Sequence, residues 1–292
     1  MNDYVVRAIA ADATVRAFGA STLTTVQKAK DIHQLTPAAA AAMGRALTAC
    51  TVMTKMMQNE EDKLTIQIKG NGPINGIVAV SDSRDTVRGY VGNPNVQMYK
   101  KANGKIDMSK VTGDQGYVNV VRDVGLKEPY VGYVDLISGE IADDLAAYFV
   151  TSEQIPTVLS LGEIFNKDGN FIVSAGYIIQ LMPGATEETL SVIEKKVMTY
   201  PTISDLLASG DTVESVLQMI LGTLGVKFIE KTPVEYKCNC SRYRMETNIM
   251  ALGQNEILDI INKQDTVETK CHFCNETYQF SKDDLIKLLN DS

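Results

Sequence analysis

The stretch LTIQIKGNGPINGIVAV, residues 64–80, decides the expected fold. Its first part alternates the apolar residues Leu64, Ile66 and Ile68 with polar ones, which is typical of a half-buried strand. A turn containing glycine and proline follows at residues 70–73, and Ile74–Val80 then supplies a second segment of strand character. The stretch therefore predicts a β-hairpin, and with it an antiparallel sheet.

Segments of similar character lie on both sides of this hairpin. Further strands are predicted at Tyr4–Ile9, Val87–Val91, Gly116–Val121, Val131–Ile137 and Phe171–Leu181. A helix is predicted to open at Thr36-Pro37, because threonine suits the N-cap and proline the first helical position, and to be buried along one stripe. A second helix is predicted from Glu140 to about Phe149. Residues 1–182 are therefore expected to form a large α+β domain with antiparallel sheets.

The character of the sequence changes at Pro183-Gly184. From Thr186 to Leu224 the pattern is helical, with apolar stripes that include Leu190, Ile193 and Val197. Asp211 and Glu214 have the spacing of a capping box ahead of the last of these helices. Residues 183–232 are therefore expected to form a helical connector.

Residues 233–292 are expected to form a small C-terminal domain. A helix is predicted near Asn255–Ile261, and Ser281 with Asp284 has capping-box spacing ahead of a final helix. The segment has few large apolar residues, so a domain of this size needs a further source of stability, such as a metal ion.

Four of the five cysteines lie in this segment. Cys238-Asn239-Cys240 precedes a spacer of 30 residues, and Cys271-His272-Phe273-Cys274 follows it. Four thiolates are a common ligand set for tetrahedral zinc, so Cys238, Cys240, Cys271 and Cys274 predict one zinc ion per chain. The C-x-C spacing departs from the usual zinc ribbon, and the alternatives are two unrelated thiol pairs or cysteines that only pack. A purely structural site and an oxidant-sensitive one fit these residues equally well.

The sequence gives less reason to assign a functional role to the remaining cysteine and the two histidines. Cys50 lies on the apolar stripe of the helix after Thr36 and is expected to be a small buried hydrophobe. His272 is expected to lie beside the zinc site or at the surface, and His33 has no partner in the sequence. The presence of only two histidines argues against a His-based catalytic triad, and the sequence shows no phosphate-binding loop, so it does not indicate an enzyme.

Composition narrows the class of protein. The chain has 292 residues, 45% of them hydrophobic, and a formal net charge of −8, which argues against nucleic-acid binding. Neither a signal peptide nor a run of apolar residues long enough to span a membrane is apparent. We expect a cytoplasmic protein with reduced thiols.

Two rival functions fit the sequence less well. A zinc-ribbon module that binds nucleic acid is disfavoured by the net negative charge of residues 233–292. A thiol–disulfide oxidoreductase is expected to carry a reactive C-x-x-C at a helix N-terminus in a βαβ setting, which this segment lacks.

Three groups of residues carry a family resemblance along the whole chain. They are the two cysteine pairs flanked by Tyr236 and Tyr278, the stretch SGEIADDL at 138–145 running on to SEQIP at 152–156, and GPI at 72–74 followed by VRGYV at 87–91. Together they resemble the heat shock protein 33 family of redox-regulated bacterial holdase chaperones.

The resemblance implies a switch. The reduced, zinc-bound protein would be inactive, and oxidation would form the disulfides Cys238–Cys240 and Cys271–Cys274 and release zinc. The tail and connector would then unfold, and the protein would bind unfolding client proteins without ATP, as a homodimer at least when active. We further hypothesise that the connector packs on the large domain and that the zinc-held tail braces it there.

Overall fold

The computed structural model describes residues 2–57, 59, 61–83 and 85–290. The chain divides into two compact units, residues 1–237 and residues 238–292. Both mix helices with antiparallel strands, so the predicted α+β class is confirmed. The finer division into 1–182, 183–232 and 233–292 stays a prediction. None of the described helices combines the length and apolarity that crossing a bilayer requires.

The first unit contains two sheets. The five-stranded sheet has the order β10-β1-β2-β9-β8 and the six-stranded sheet the order β11-β5-β4-β3-β6-β7. All pairings are antiparallel except that of β11 with β5. The strands of the first sheet are β1 (Tyr4–Ala10), β2 (Val15–Ser21), β8 (Thr157–Phe165), β9 (Phe171–Leu181) and β10 (Lys227–Pro233). Those of the second are β3 (Lys63–Gly70), β4 (Ile77–Ser83), β5 (Thr86–Val91), β6 (Gly116–Asp123), β7 (Tyr130–Asp135) and β11 (Glu235–Tyr236).

The hairpin predicted at residues 64–80 is present as β3 and β4, with Leu64 opposite Ser81 and Ile68 opposite Ile77. The start of the second strand was predicted three residues too early, at Ile74, whereas β4 begins at Ile77. Residues 71–76 form the connection, and Asn75 has a φ of 58° and Gly76 a φ of 99°. Two successive residues with positive φ end the extended backbone that a strand needs.

A central helix, α2 (Pro37–Thr54), contacts strands of both sheets. The prediction of burial along one stripe was wrong, since α2 is buried on nearly every side. Its run of alanines suits this position, because small side chains let both sheets approach the helix closely. Around it lie α1 (Leu23–His33), the short α3 (Ser109–Thr112) and α4 (Ile141–Thr151).

The connector contains α5 (Glu187–Thr199), α6 (Ile203–Ala208) and α7 (Val213–Leu221). Their apolar stripes form one core cluster with β1, β2 and β9, so the connector packs on the five-stranded sheet. The capping box of α7 is shifted by one residue from the prediction. Ser215 N donates a hydrogen bond to Thr212 Oγ1, and Thr212 N donates one to Ser215 Oγ. Asp211 lies outside the box and accepts a hydrogen bond from Ser215 Oγ.

The second unit contains α8 (Arg242–Met250), α9 (Gln254–Lys263), the hairpin β12 (Thr266–Lys270) and β13 (Thr277–Ser281), and α10 (Lys282–Asn290). The capping box before α10 is confirmed, since Ser281 Oγ accepts from Asp284 N and Asp284 Oδ2 accepts from Ser281 N. Among its described residues the apolar core consists of four buried side chains, Ile249, Ile257, Phe280 and Leu285, with partly buried ones such as Ile260 and Leu288 packed against them. Such a core is small for a separate folding unit.

Candidate metal centre

The four predicted cysteines come together in the second unit. Their Sγ atoms all lie within 4.8 Å of one another. Cys238 Sγ is 3.7 Å from Cys271 Sγ, and Cys240 Sγ is 3.3 Å from Cys274 Sγ. A tetrahedral zinc ion with sulfur ligands at about 2.3 Å places its sulfur atoms about 3.8 Å apart. The cluster therefore matches the size of a four-thiolate zinc site with only small adjustments.

The turn between β12 and β13 positions one pair. Cys271 N donates to Glu276 O at 2.9 Å, and Asn275 N donates to Cys271 O at 2.9 Å. Asn275 has a φ of 60°, a left-handed conformation that asparagine tolerates better than most residues. The chain thus folds back directly after Cys274, which turns both thiols of the C-x-x-C toward one point.

The start of α8 positions the other pair. Ser241 caps this helix by accepting from Arg244 N, and the Arg244 guanidinium donates to Asn239 Oδ1 at 2.6 Å. Asn239 is the middle residue of the C-x-C, so the first turn of the helix fixes the short loop that carries Cys238 and Cys240. The spacing of the cysteines predicts the ligands but gives no role to Arg244. The sequence feature that could have indicated its contact with Asn239 is its position five residues further along the chain.

Burial and shared hydrogen bonds set the thiol acidity. Burial raises the pKa of Cys238 to about 11 and also raises the pKa of Cys274 well above its usual range. Burial acts in the same direction on Cys240, but the hydrogen bond from Tyr278 and those from the other thiols outweigh it and lower its pKa. The Tyr278 hydroxyl lies 3.2 Å from Cys240 Sγ. A coordinated cation deprotonates thiols outright, so metal binding here displaces protons.

The other candidate residues lie elsewhere or stay outside the cluster. Cys50 is completely buried in α2, and burial raises the pKa of its thiol to about 12, as expected for a packing residue. His272 is exposed, and the metal-binding group formed by the described residues consists of the four cysteines. His33 Nε2 lies 3.2 Å from the hydroxyl of Tyr236, a residue buried in the first unit that also donates to Gly89 O.

The stretch at 138–145 has a structural role far from the cysteines in sequence. Asp144 is fully buried, and its Oδ1 accepts hydrogen bonds from the backbone of Ile137, Ser138 and Gly139. Glu140, the N-cap residue of α4, accepts a bond from Arg45 at 2.9 Å. The motif therefore fixes the entry of α4 and ties it to α2.

Comparisons with known proteins agree along the full length of the chain. The profile described as Hsp33 protein matches residues 3–281. The 33 kDa chaperonin of Ruminiclostridium cellulolyticum is 48% identical over 292 residues, covering 100% of this chain and 99% of the relative. That of Clostridioides difficile is 42% identical over 291 residues, with 100% of each covered.

The crystal structure of the 33 kDa chaperonin (heat shock protein 33 homolog) from Thermotoga maritima is similar to the whole fold. It superimposes with a TM-score of 0.91 at 36% sequence identity, and the match covers 100% of this chain and 99% of that one. Sequence, fold and the four clustered cysteines thus lead to one assignment: this chain belongs to the Hsp33 family of chaperones.

Proposed function

We propose that this protein is a redox-regulated, ATP-independent holdase that is inactive while reduced and zinc-bound. The observation that carries the proposal is the cluster of four cysteine Sγ atoms within 4.8 Å in a unit with a small apolar core. Membership of a chaperone family supports the binding of unfolding proteins. The cysteine cluster supports control of that binding by oxidants.

Cys238, Cys240, Cys271 and Cys274 would hold the ion. When bound, zinc supplies a cross-link between the C-x-C before α8 and the C-x-x-C between β12 and β13. The four buried side chains Ile249, Ile257, Phe280 and Leu285 are a weak core for 55 residues, residues 238–292. The fold of this unit should therefore depend on the thiolates remaining available.

Oxidation removes these ligands. Two thiolates that form a disulfide give two electrons to peroxide, which takes up two protons and leaves as two waters. We propose the pairs Cys238–Cys240 and Cys271–Cys274. The short sulfur contacts of the reduced cluster, Cys238 with Cys271 and Cys240 with Cys274, run across these pairs, so mapping of disulfide-linked peptides is the decisive check.

The connector supplies apolar surface that such a switch can expose. Val213, Val216 and Leu217 of α7 are buried against the five-stranded sheet together with Ile193 of α5. Isolated helices of this length are marginal in water, so the connector depends on that packing. We propose that loss of the zinc-held fold loosens it and that unfolding clients cover the exposed stripes.

The remaining parts of the proposal follow the family. The protein acts in the cytoplasm as a homodimer when active, binds neither nucleic acid nor membrane, and is not an enzyme. Turnover of a dithiol substrate would argue for an oxidoreductase in its place.

The test measures zinc and chaperone activity on the same sample. Zinc content, thiol count and suppression of aggregation of a heat-unfolding protein are followed before and after peroxide treatment at raised temperature, without nucleotide. We expect one zinc ion per reduced chain, its release as four thiols disappear, and aggregation suppressed only afterwards. Equal suppression by the reduced, zinc-loaded protein would contradict the proposal.

A further inference from the structure

β7 forms one edge of the six-stranded sheet and has an apolar, poorly protected surface. It pairs with β6 on one side, and among the described strands none pairs with its other side. Its sequence, YVGYVD at 130–135, contains no lysine or proline. Val131 is 61% exposed, and Tyr133 is 57% exposed although its ring lies against that of Tyr117 in β6. Natural proteins usually block such an edge, because it is a template for another strand.

The hydrogen-bond register shows which backbone groups face outward. Leu136 N donates to Gly116 O, which makes residues 136 and 116 a hydrogen-bonded pair. The same register continues through Val134 opposite Val118 and Gly132 opposite Val120. Such pairs alternate along an antiparallel ladder, so the even-numbered residues of β7 bond to β6. The N–H and C=O groups of Val131 and Tyr133 therefore point away from the sheet.

The even-numbered side chains of β7 lead to a cavity. The ring of Tyr148 in α4 lies against Gly132, where a β-carbon would collide with it. Beyond it, Tyr130 lines a cavity of about 520 Å³ together with Leu126, Met53, Met56 and Met57. Charged side chains complete the lining: Arg16, Asp62, Arg122 and Glu153. Methionine side chains are flexible and polarizable, so they adapt to apolar groups of different shapes. A strand added to β7 would place alternate side chains on this face of the sheet.

The edge at β10 of the other sheet shows how the same chain protects an edge. β10 carries Lys227, Glu230, Lys231 and a terminal Pro233, all of which discourage a further strand. β7 has neither lysine nor proline, its one charged residue is Asp135 at its end, and it adjoins the cavity lined by Tyr130 and the methionines. A β7–β7 contact between two copies would extend over only about 20 Å of strand and fall well short of the roughly 800 Å² per partner of a standard interface. An extended peptide segment needs only the edge and the cavity.

We propose that β7 is a docking edge at which an extended apolar segment of an unfolded client adds as an extra strand, with alternate side chains entering the Met-lined cavity. The inference rests on the proposed holdase function and gives it a second contact surface besides the connector. Backbone hydrogen bonds supply the affinity, so recognition does not depend on the sequence of the client. That suits a protein whose partners share only their unfolded state.

The test compares two substitutions at Val131 in the full-length, oxidised protein. Val131→Pro removes the outward N–H and places a ring at the edge but leaves every bond to β6 intact. Val131→Thr keeps the N–H and nearly the same shape and is the matched control. The probe is fluorescein-labelled, reduced and carboxymethylated α-lactalbumin, a permanently unfolded chain, and binding is followed by fluorescence anisotropy.

We expect Val131→Pro to weaken binding by about tenfold or more through lost backbone hydrogen bonds and the blocked edge, and Val131→Thr to stay within about threefold of wild type. Unfolding midpoints and oxidant-induced zinc release should match wild type in both variants. If wild type binds the probe and Val131→Pro binds equally well, the docking edge is wrong but the holdase function stands. If oxidised wild type does not bind at all, the holdase function fails and this inference with it.

A second measurement does not depend on proline. Tyr133→p-benzoylphenylalanine places a photo-crosslinker on the exposed face of β7. Irradiation of the oxidised protein with the probe should give an adduct that contains α-lactalbumin peptides. An adduct between two copies of this chain, or no adduct despite probe binding, would overturn the assignment of β7 to clients.

Discussion

Replacing Arg45 with methionine should destabilise the first unit strongly, because Arg45 joins two carboxylates in its interior. Arg45 Nη1 lies 2.9 Å from Glu140 and Arg45 Nε lies 3.0 Å from Glu163, whose side chain is only 1% exposed. No described residue donates a hydrogen bond to the other oxygen of Glu163. Arg45→Met therefore leaves a buried carboxyl group that has lost its cation and must take up a proton or stay unpaired.

The size of the effect follows from this burial. Breaking a buried ion pair by removing one partner costs about 3–5 kcal/mol. In a protein unit of this size, each kcal/mol lowers the melting temperature by about 2–4 °C, so the expected decrease is about 6–20 °C. Lys101→Met is the matched control. Lys101 also pairs with Glu140, but its side chain is 43% exposed, so we expect a loss of about 1 kcal/mol or less.

The assay is thermal and urea unfolding of reduced, zinc-loaded protein followed by tyrosine fluorescence, because most of the tyrosines lie in the first unit. A second variant, Arg45→Met with Glu163→Leu, removes the cation and the more deeply buried of its two carboxyl partners, while Glu140 keeps Lys101, and should recover most of the lost stability. The reasoning is refuted if Arg45→Met costs less than about 1 kcal/mol, or if the double variant is no more stable than the single one.

The same pair predicts a pH dependence. Burial raises the pKa of Glu163 to about 7, because the Arg45 cation only partly offsets the loss of hydration. A carboxyl whose pKa is higher in the folded than in the unfolded state binds its proton more tightly when folded. Its contribution to stability therefore decreases as pH rises from about 4.5 to about 7 and stays level above that range. Glu163→Gln should abolish this slope in urea unfolding measured across the range.

Three further predictions concern the switch. Cys271→Ser leaves three thiolates, so we expect severely weakened zinc binding by atomic absorption; full, chelator-resistant zinc would contradict the site. Cys50→Ser should keep zinc and oxidant response with a modest loss of stability, since this thiol is buried far from the second unit in sequence; a lost response with an intact fold would oppose that assignment. Leu217→Asp places a carboxylate in the packing of α7 and should raise holdase activity while zinc stays bound; unchanged hydrogen exchange across residues 186–224 would count against it.

The elements that the sequence predicted well have strong local signals. The alternation of Leu64, Ile66 and Ile68 indicated β3, and β9 spans Phe171–Leu181 as predicted. β8 was missed because the apolar residues of TVLSLGEIF do not alternate, and most of its residues are only half-buried. α8 was missed because RYRMETNIM is mostly polar and buries only Ile249.

The candidate site, too, could be predicted only as far as local sequence patterns indicate it. Spacing alone brought Cys238, Cys240, Cys271 and Cys274 together as candidate ligands. The hydrogen bond between Tyr278 and Cys240 depends on how β13 returns beside the C-x-C loop, which no local pattern encodes. The full burial of α2 likewise depends on a second sheet whose strands come from distant parts of the chain.

The five-stranded sheet has a consequence for synthesis of the chain. β1 lies between β2 and β10, and β2 has its second partner in β9, so the sheet joins residues near the N-terminus with residues 171–181 and 227–233. A ribosome that adds about 5–20 residues per second needs about 10–45 s to make the intervening chain. During that time the β1–β2 hairpin has open edges and is exposed to aggregation. The sheet of this chaperone therefore cannot close until residues 227–233 have been synthesised, and its first hairpin has to avoid other chains until then.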